Sequence, residues 1–284
     1  MTVSRDDETA GAIEPFEDAA LYDWEYRRRR DDVRFYRLLA HERGGPVLDL
    51  ACGTGRLLAP LARDGHVVVG LDRSAPMLAR AAARVRRLSA SARRRTLLVR
   101  GDLRAFAFRR PFQMAICAFH SIQHLTSDGD LLRFLQMVRA ALAPGGWFAF
   151  DVFAPEQKFL DRASHRRWDR TVFRHPSQGR LVYSMNSRLS ANGRALLMTM
   201  YYQPVDARGR SRGPEKSVRL CHRQLSPAQI CGLLQRAGLI SVATWTGFDG
   251  STQDLASEQY VFLARRPHGR ETSFSVGKHR RSRR

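Results

Sequence analysis

The decapeptide Val47-Leu48-Asp49-Leu50-Ala51-Cys52-Gly53-Thr54-Gly55-Arg56 constrains this chain more than any other stretch. An apolar run carries an acid near its end, a loop of small residues follows, and a helix is expected to open at Arg56. Gly53 and Gly55 have no Cβ, so the loop backbone can pass directly against a ligand. Asp49, near the carboxyl end of the expected strand, can accept hydrogen bonds from a cationic or hydroxylated group. A dinucleotide-binding turn needs a third glycine three residues after Gly55, and Leu58 stands there. No Lys-Ser or Lys-Thr pair follows, so the loop is not a phosphate-binding P-loop. The alternative is an ordinary strand-to-helix turn made of small residues.

The chain has 284 residues, 43% of them hydrophobic, enough for one large α/β domain with an insertion or for two small domains. No apolar run approaches the ~18 residues of a membrane-spanning helix. The acidic N-terminus lacks the basic-then-apolar pattern of a signal peptide. The four cysteines, Cys52, Cys117, Cys221 and Cys231, show no CxxC spacing. Free thiols in a reducing, cytoplasmic setting are expected. The formal charge is +21, but only three of the 48 basic residues are lysine. The charge is uneven, reaching +9 over 151–225 and +7 over 265–284. Such segments can bind phosphates. No nucleic-acid motif accompanies them, which favours a solvated, arginine-rich surface.

Residues 1–14 are polar and aperiodic and are expected to be disordered. The folded domain is expected over 15–266, with one or two helices across 16–43. Strand patterns at 46–51, 66–72, 96–100, 112–119 and 146–153 then alternate with helix patterns at 55–64, 75–90 and 128–143. That rhythm means parallel strands with crossover helices. An insertion at about 156–224 carries β-rich runs at 180–190, 194–206 and 216–224, the first two joined by the hairpin signal Ala191-Asn192-Gly193. Ser226-Pro227 caps a helix through Ala237, and strands at 239–247 and 258–265 follow as an antiparallel pair. The core therefore has seven strands, the last two a hairpin. Residues 267–284 read as a basic flexible tail.

Several residues at the strand ends can carry chemistry. Asp72 closes the second strand, where ligands of open α/β sheets bind, and a carboxylate there can accept both hydroxyls of a ribose. Capping the next helix is its other use. Met77, just inside that helix, faces either an adenine ring or the helix core. Asp102 can accept an exocyclic amine, with the Leu103 amide beside it; otherwise Asp102 is a turn residue. The fourth strand opens into Phe119-His120-Ser121-Ile122-Gln123-His124-Leu125. His120 and His124 are four apart, but no third ligand is evident and no metal is expected. With an unperturbed pKa near ~6.5, His124 suits proton removal, or else it only packs and hydrogen-bonds.

In order and spacing, 47–56, 72–78, 101–103, 119–125 and 144–153 resemble the class I S-adenosylmethionine-dependent methyltransferases. The resemblance spans about 20–265. It implies a Rossmann-like α/β fold with a seven-stranded sheet whose order switches between strands one and four. It implies S-adenosylmethionine as cofactor, lying across strands one, two and four. Asp49, the backbone of Ala51, Cys52, Gly53 and Gly55, and the Phe119 carbonyl would face its methionine end. Asp72 would hold the ribose, while Met77, Asp102 and Leu103 would face the adenine. Ala51 departs from the glycine of many members. Tyr22-Asp23, Tyr26, the loop 119–125 and the insertion are similar to amino-sugar N-methyltransferases, which implies that Tyr22 and His124 flank the acceptor. Tyr22 can equally be a packed helix residue. Trp168, Phe173, Tyr183, Tyr201 and Tyr202 are candidates for the acceptor wall, although a period-2 strand turns some of them into core. Methyl transfer to a small amine or hydroxyl acceptor is the expected function. The rivals are an RNA methyltransferase using the basic segments and a non-catalytic cofactor-binding protein.

Overall fold

A computed structural model describes residues 16–155, 166–175, 177–252 and 259–269. Helices α1 (Ala19–Glu25) and α2 (Asp31–Arg43) precede β1 (Val47–Leu50), α3 (Leu58–Arg63), β2 (Val68–Asp72), α4 (Ala75–Arg86), α5 (Ala90–Arg94) and β3 (Thr96–Arg100). Next come β4 (Phe112–Cys117), a single 3-10 turn (Ser121–His124), α6 (Asp128–Ala141) and β5 (Leu142–Phe153). The insertion contributes β6 (Trp168–His175), β7 (Gly179–Leu189), β8 (Ala195–Val205) and β9 (Lys216–Arg223). The chain then returns through α7 (Pro227–Arg236), β10 (Ile240–Trp245) and β11 (Gln259–Arg265).

The seven-stranded sheet has the order β3-β2-β1-β4-β5-β11-β10. The first five of these pair in parallel, whereas β11 runs antiparallel to both β5 and β10. Strand order reverses between β1 and β4, the expected switch point. Apolar residues cover both faces. Leu48, Phe134, Phe148 and Leu234 belong to the cluster under α6 and α7, while Tyr36, Leu58, Leu61 and Met114 belong to the one under α2 and α3. The insertion is a separate antiparallel sheet, β6-β7-β8-β9, whose inner face packs on Leu21 of α1.

Several boundaries differ from expectation for local reasons. The helix expected over 55–64 starts only at Leu58, because 53–57 are turn. The helix expected over 75–90 ends at Arg86, and Ser89 caps the separate α5 by accepting the Ala92 N–H. β5 begins at Leu142 rather than 146, since Gly145 N–H bonds Arg266 O and Arg266 N–H bonds Gly146 O. The insertion has a fourth strand, β6, which lacks alternation because most of its residues are exposed. The expected disordered N-terminus, most of the expected tail and part of the insertion fall outside the described residues.

Helix α1 has only seven residues, too few to be stable unaided. Docking supplies the rest. The Asp23 carboxylate accepts from Thr54 Oγ1 at 2.5 Å, Arg80 Nε at 2.8 Å and Arg84 Nη2 at 2.9 Å. Arg84 Nε also donates to Thr54 O at 3.0 Å, so one cluster ties α1, α4 and the 51–57 loop. Asp23→Ala should speed amide exchange across 19–25, with the β1, β4 and β5 amides still protected. Unchanged exchange in α1 would mean that its contacts with the insertion, through Leu21, Glu25 and Asp18, hold the helix without this cluster.

Candidate functional site

A cavity of about 450 Å³ lies between the carboxyl ends of β1, β2 and β4 and the inner face of the insertion sheet. Its floor is backbone. Ala51 and Gly53 line it with φ of 54° each, and a Cβ at Gly53 would meet nothing within 4 Å. Asp72 closes β2 on the same floor, 9% exposed, with Oδ2 accepting Gly53 N–H and Oδ1 accepting Ser74 N–H, both at 2.8 Å. Each oxygen keeps a lone pair for a ligand hydroxyl. Leu103 and Asp102 also line the cavity. Arg104 engages both Asp102 oxygens, at 3.0 and 2.7 Å, and holds that carboxyl below its usual pKa.

Four residues expected at the floor do not reach the cavity. A Cβ at Gly55 would meet Ala81 Cβ at 3.3 Å, so this glycine admits α4 rather than a ligand. Cys52 turns inward against Gly70, where a Cβ would come within 2.8 Å of Sγ. Met77 is 1% exposed in the core, which decides for the helix-packing alternative. Asp49 is 2% exposed beneath the loop and accepts the Leu58 N–H, with Oδ2 left unpartnered by the protein. Burial and the neighbouring Asp72 charge push its pKa up to about 7.

The wall beyond β4 is built around Asp151, which sequence reasoning missed. Phe119 and His120 both adopt left-handed φ, 62° and 60°. Their N–H groups donate to Asp151 Oδ1 at 2.8 Å and Oδ2 at 3.0 Å, and Tyr36 Oη donates to Oδ1 at 2.6 Å. Gln259 Nε2 adds a fourth donor at 3.2 Å. Burial raises this carboxyl to about 6. Its sequence signal was available: it is the one charge in the apolar run Trp147-Phe148-Ala149-Phe150-Asp151-Val152-Phe153.

Tyr22 and His124 come together at the far end, both lining the cavity. The Tyr22 ring lies 6.1 Å from Phe119, and the His124 ring lies 5.2 Å from Phe16 and 5.0 Å from His222. Burial raises the Tyr22 pKa, and it lowers His124 to about 4, well away from the expected ~6.5. His124 bonds the Cys221 backbone, leaving buried Nδ1 without a protein partner. The His222 Nδ1 is likewise unpartnered, and burial lowers its pKa too. Among the described residues no group of three or more potential ligands is arranged to hold a metal ion. Trp168, Tyr183 and Tyr202 line the insertion wall. Phe173 and Tyr201 do not; Phe173 packs against the insertion's core, and Arg167 covers the Tyr201 ring at 3.5 Å.

Residues 47–146 match the family described as "Methyltransferase domain". The match takes in β1 to the first half of β5, which includes the 51–57 loop, Asp72, Asp102, Leu103, Phe119 and His124. It is 34% identical over 137 residues to the Streptomyces fradiae dTDP-3-amino-3,6-dideoxy-alpha-D-glucopyranose N,N-dimethyltransferase, covering 46% of this chain and 51% of that one. The chain spans about half the length of the curated relatives it matches. The CcbJ methyltransferase from Streptomyces caelestis superposes with a TM-score of 0.69 at 21% identity, over 83% of this chain and 95% of that one. CalS10, an amino pentose methyltransferase from Micromonospora echinaspora solved with S-adenosylmethionine bound, gives 0.66 at 21% identity, over 87% and 96%. Those two likenesses establish the methyltransferase fold, and no helix of the described residues is long and apolar enough to cross a membrane.

The buried Asp49 makes the stability of this chain depend on pH. Between the unfolded value of ~3.9 and about 7, the folded chain keeps a proton that the unfolded chain releases. The stability this carboxyl contributes is therefore full below ~3.9 and lost as the pH rises through about 7. Asp49→Asn has no such titration. Its Tm should gain on the wild type as the pH rises from 5 to 8, by roughly 2–3 kcal/mol in stability over that range. A Tm difference that stays flat with pH would show Asp49 ionised at an ordinary pKa.

Proposed function

We propose that this chain transfers a methyl group from S-adenosylmethionine to a small-molecule acceptor. One observation carries the reading: a single cavity joins the loop-and-Asp72 floor to the Tyr22 and His124 wall. The residues present fit the cofactor. Asp72 would accept the ribose hydroxyls on its free lone pairs, and Gly53 leaves room for the chain of the ligand above the loop. Asp102 and the Leu103 amide would face the adenine, with Arg104 limiting what Asp102 can still accept. The Phe119 carbonyl would meet the methionine end, and Asp49 would act there through its hold on the Leu58 N–H. Cys52, Gly55 and Met77 would shape this floor from behind. When bound, the cofactor supplies an electrophilic methyl on a sulfonium sulfur, whose departing thioether is neutral and needs no acid. The chain's own work is to hold the acceptor in line, accept its proton or hydrogen bond, and exclude water.

His124 suits the second task as an acceptor of a hydrogen bond. Its Nδ1 is unpartnered, and burial keeps the ring neutral at neutral pH. A base whose pKa is about 4 holds a proton weakly, so orientation would outweigh full proton transfer. The cavity, with its mostly apolar lining and volume of about 450 Å³, suits a small molecule better than an RNA strand. The four cysteines are free, in keeping with a reducing compartment such as the cytoplasm.

Titration calorimetry should show saturable binding of S-adenosylmethionine or S-adenosylhomocysteine, weakened by about 1–3 kcal/mol in Asp72→Ala. Binding of NAD with no response to either would overturn the reading. Mass shifts of +14 in a metabolite extract incubated with protein and cofactor would identify the acceptor.

His124→Ala should lower turnover ~10²-fold, the low end for general-base loss, with S-adenosylhomocysteine affinity intact. Because the imidazole titrates near 4, the wild-type profile should show no His124 limb between pH 5.5 and 8. An acid limb centred near 6.5 in the wild type, absent from the variant, would instead make His124 a water-like base.

A further inference from the structure

The carboxylates facing the cavity are not alike. Asp18 pairs with Lys216 at 3.3 Å and Asp102 with Arg104 at 2.7 Å. Among the described residues no lysine or arginine pairs with Glu25, although it lines the same cavity. Its partners are neutral hydroxyls. Tyr202 Oη donates to Glu25 Oε2 at 2.9 Å, and the Tyr26 hydroxyl bonds the same carboxylate. Glu25 is also the last residue of α1, where the carbonyl end of the helix adds partial negative charge. A partly buried carboxylate with only neutral donors has an unmet demand for a cation.

The surroundings define which cation. Tyr183 stands beside Tyr202, ring centroids 5.5 Å apart, and Trp168 lines the same wall. Aromatic faces next to a carboxylate attract an organic ammonium more than a hydrated metal ion. Met185, Met198 and Met200, with Val218 and Leu220, line the same cavity. That surface is apolar and adaptable. Tyr26 bridges Glu25 to the Phe119 loop, its ring 4.8 Å from that of Phe119.

We propose that this pocket takes an acceptor carrying a protonated primary or secondary amine on a largely apolar body, with Glu25 as its counter-charge and proton acceptor. The inference rests on the methyl-transfer reading and adds the residue that selects for charge. An ammonium is bound as the cation but reacts only as the amine. On transfer of one proton, an N–H bond breaks and an O–H bond forms on Glu25, leaving two neutral groups and a free nitrogen lone pair. A low-dielectric wall favours that neutral pair over the separated charges.

The test compares two probes of one shape, 2-phenylethylamine and 2-phenylethanol, titrated calorimetrically into the full chain with S-adenosylhomocysteine present. The wild type should bind the amine at least tenfold more tightly than the alcohol. Glu25→Gln should erase that preference, Glu25→Asp should restore part of it, and Tyr202→Phe, which keeps the charge, should retain it. S-adenosylhomocysteine affinity, unchanged across the variants, reports that each is folded. Equal binding of the two probes by the wild type, binding of neither, or a preference that survives Glu25→Gln overturns the proposal. Failure of S-adenosylhomocysteine to bind the wild type strikes the methyl-transfer reading instead, and the amine-to-alcohol ratio of the chain alone then decides this one.

Discussion

The buried carboxylate of Asp151 is the constraint on which the far wall of the cavity depends. Two consecutive non-glycine residues, Phe119 and His120, are held at positive φ, a conformation that costs energy at each. Their amides are also pulled away from any strand partner. Asp151 offsets both costs by accepting each N–H on a different oxygen. Charge-assisted bonds of this kind are about twice as strong as neutral ones. In return the amides and the Tyr36 hydroxyl satisfy a carboxylate that is fully excluded from water. Neither side is stable without the other, which couples α2, β4 and β5 at one point.

The same logic joins the insertion to the sheet. Gln123, fully buried in the 3-10 turn, donates to Phe153 O and Arg223 O and accepts Phe153 N–H. It therefore stitches the end of β5 to the end of β9. Arg223 donates in turn to Thr126 O and pairs with Asp128 at the start of α6. On the opposite side Arg56 pairs with buried Asp32, and its guanidinium lies 5.2 Å over the Phe119 ring. The elements around the cavity are distant in sequence, and each is fastened by a buried or partly buried polar side chain that bonds across to another element.

Legibility followed from how local the cause was. The 51–55 loop, the Ser74 cap and the capping box at Ser226 are set by residues within a few positions, and the pattern exposes them. Strand order needed only the alternation of strand and helix. Asp72, Leu103 and Phe119 could be named because they stand at or just past the ends of readable strands, and Tyr22 and His124 because their segments are similar to those of amino-sugar N-methyltransferases. Burial is a tertiary property, so nothing local distinguishes Met77 in the core from Met77 at a ligand. Gly55 likewise looks like a ligand-facing glycine until Ala81 is brought against it. Strand β6 escaped because arginines and other exposed residues erase its period. Glu25 and His222 escaped because their meaning lies in which neighbours they lack, and neighbours come from the insertion.

The two ends of the cavity are made by different means, and this has a physical consequence. The floor is formed by backbone amides and by carboxylates that those amides hold, as at Gly53, Asp72 and Ser74. Backbone geometry there is fixed by parallel strands buried on both sides, so little can change without disturbing the core. The roof is formed by side chains of β6, β7, β8 and β9, elements of a separate sheet that rests on α1 through Leu21. Methionine and tyrosine there can be exchanged for other residues without altering the seven-stranded sheet. A single chain can therefore keep one end constant and vary the other. The charge at Glu25 belongs to neither sheet: it rides on α1, whose position depends on Asp23 and the 51–57 loop. The group that sets polarity at the roof is thus anchored to the floor, so the relative position of the two ends is fixed by α1 rather than by the insertion itself.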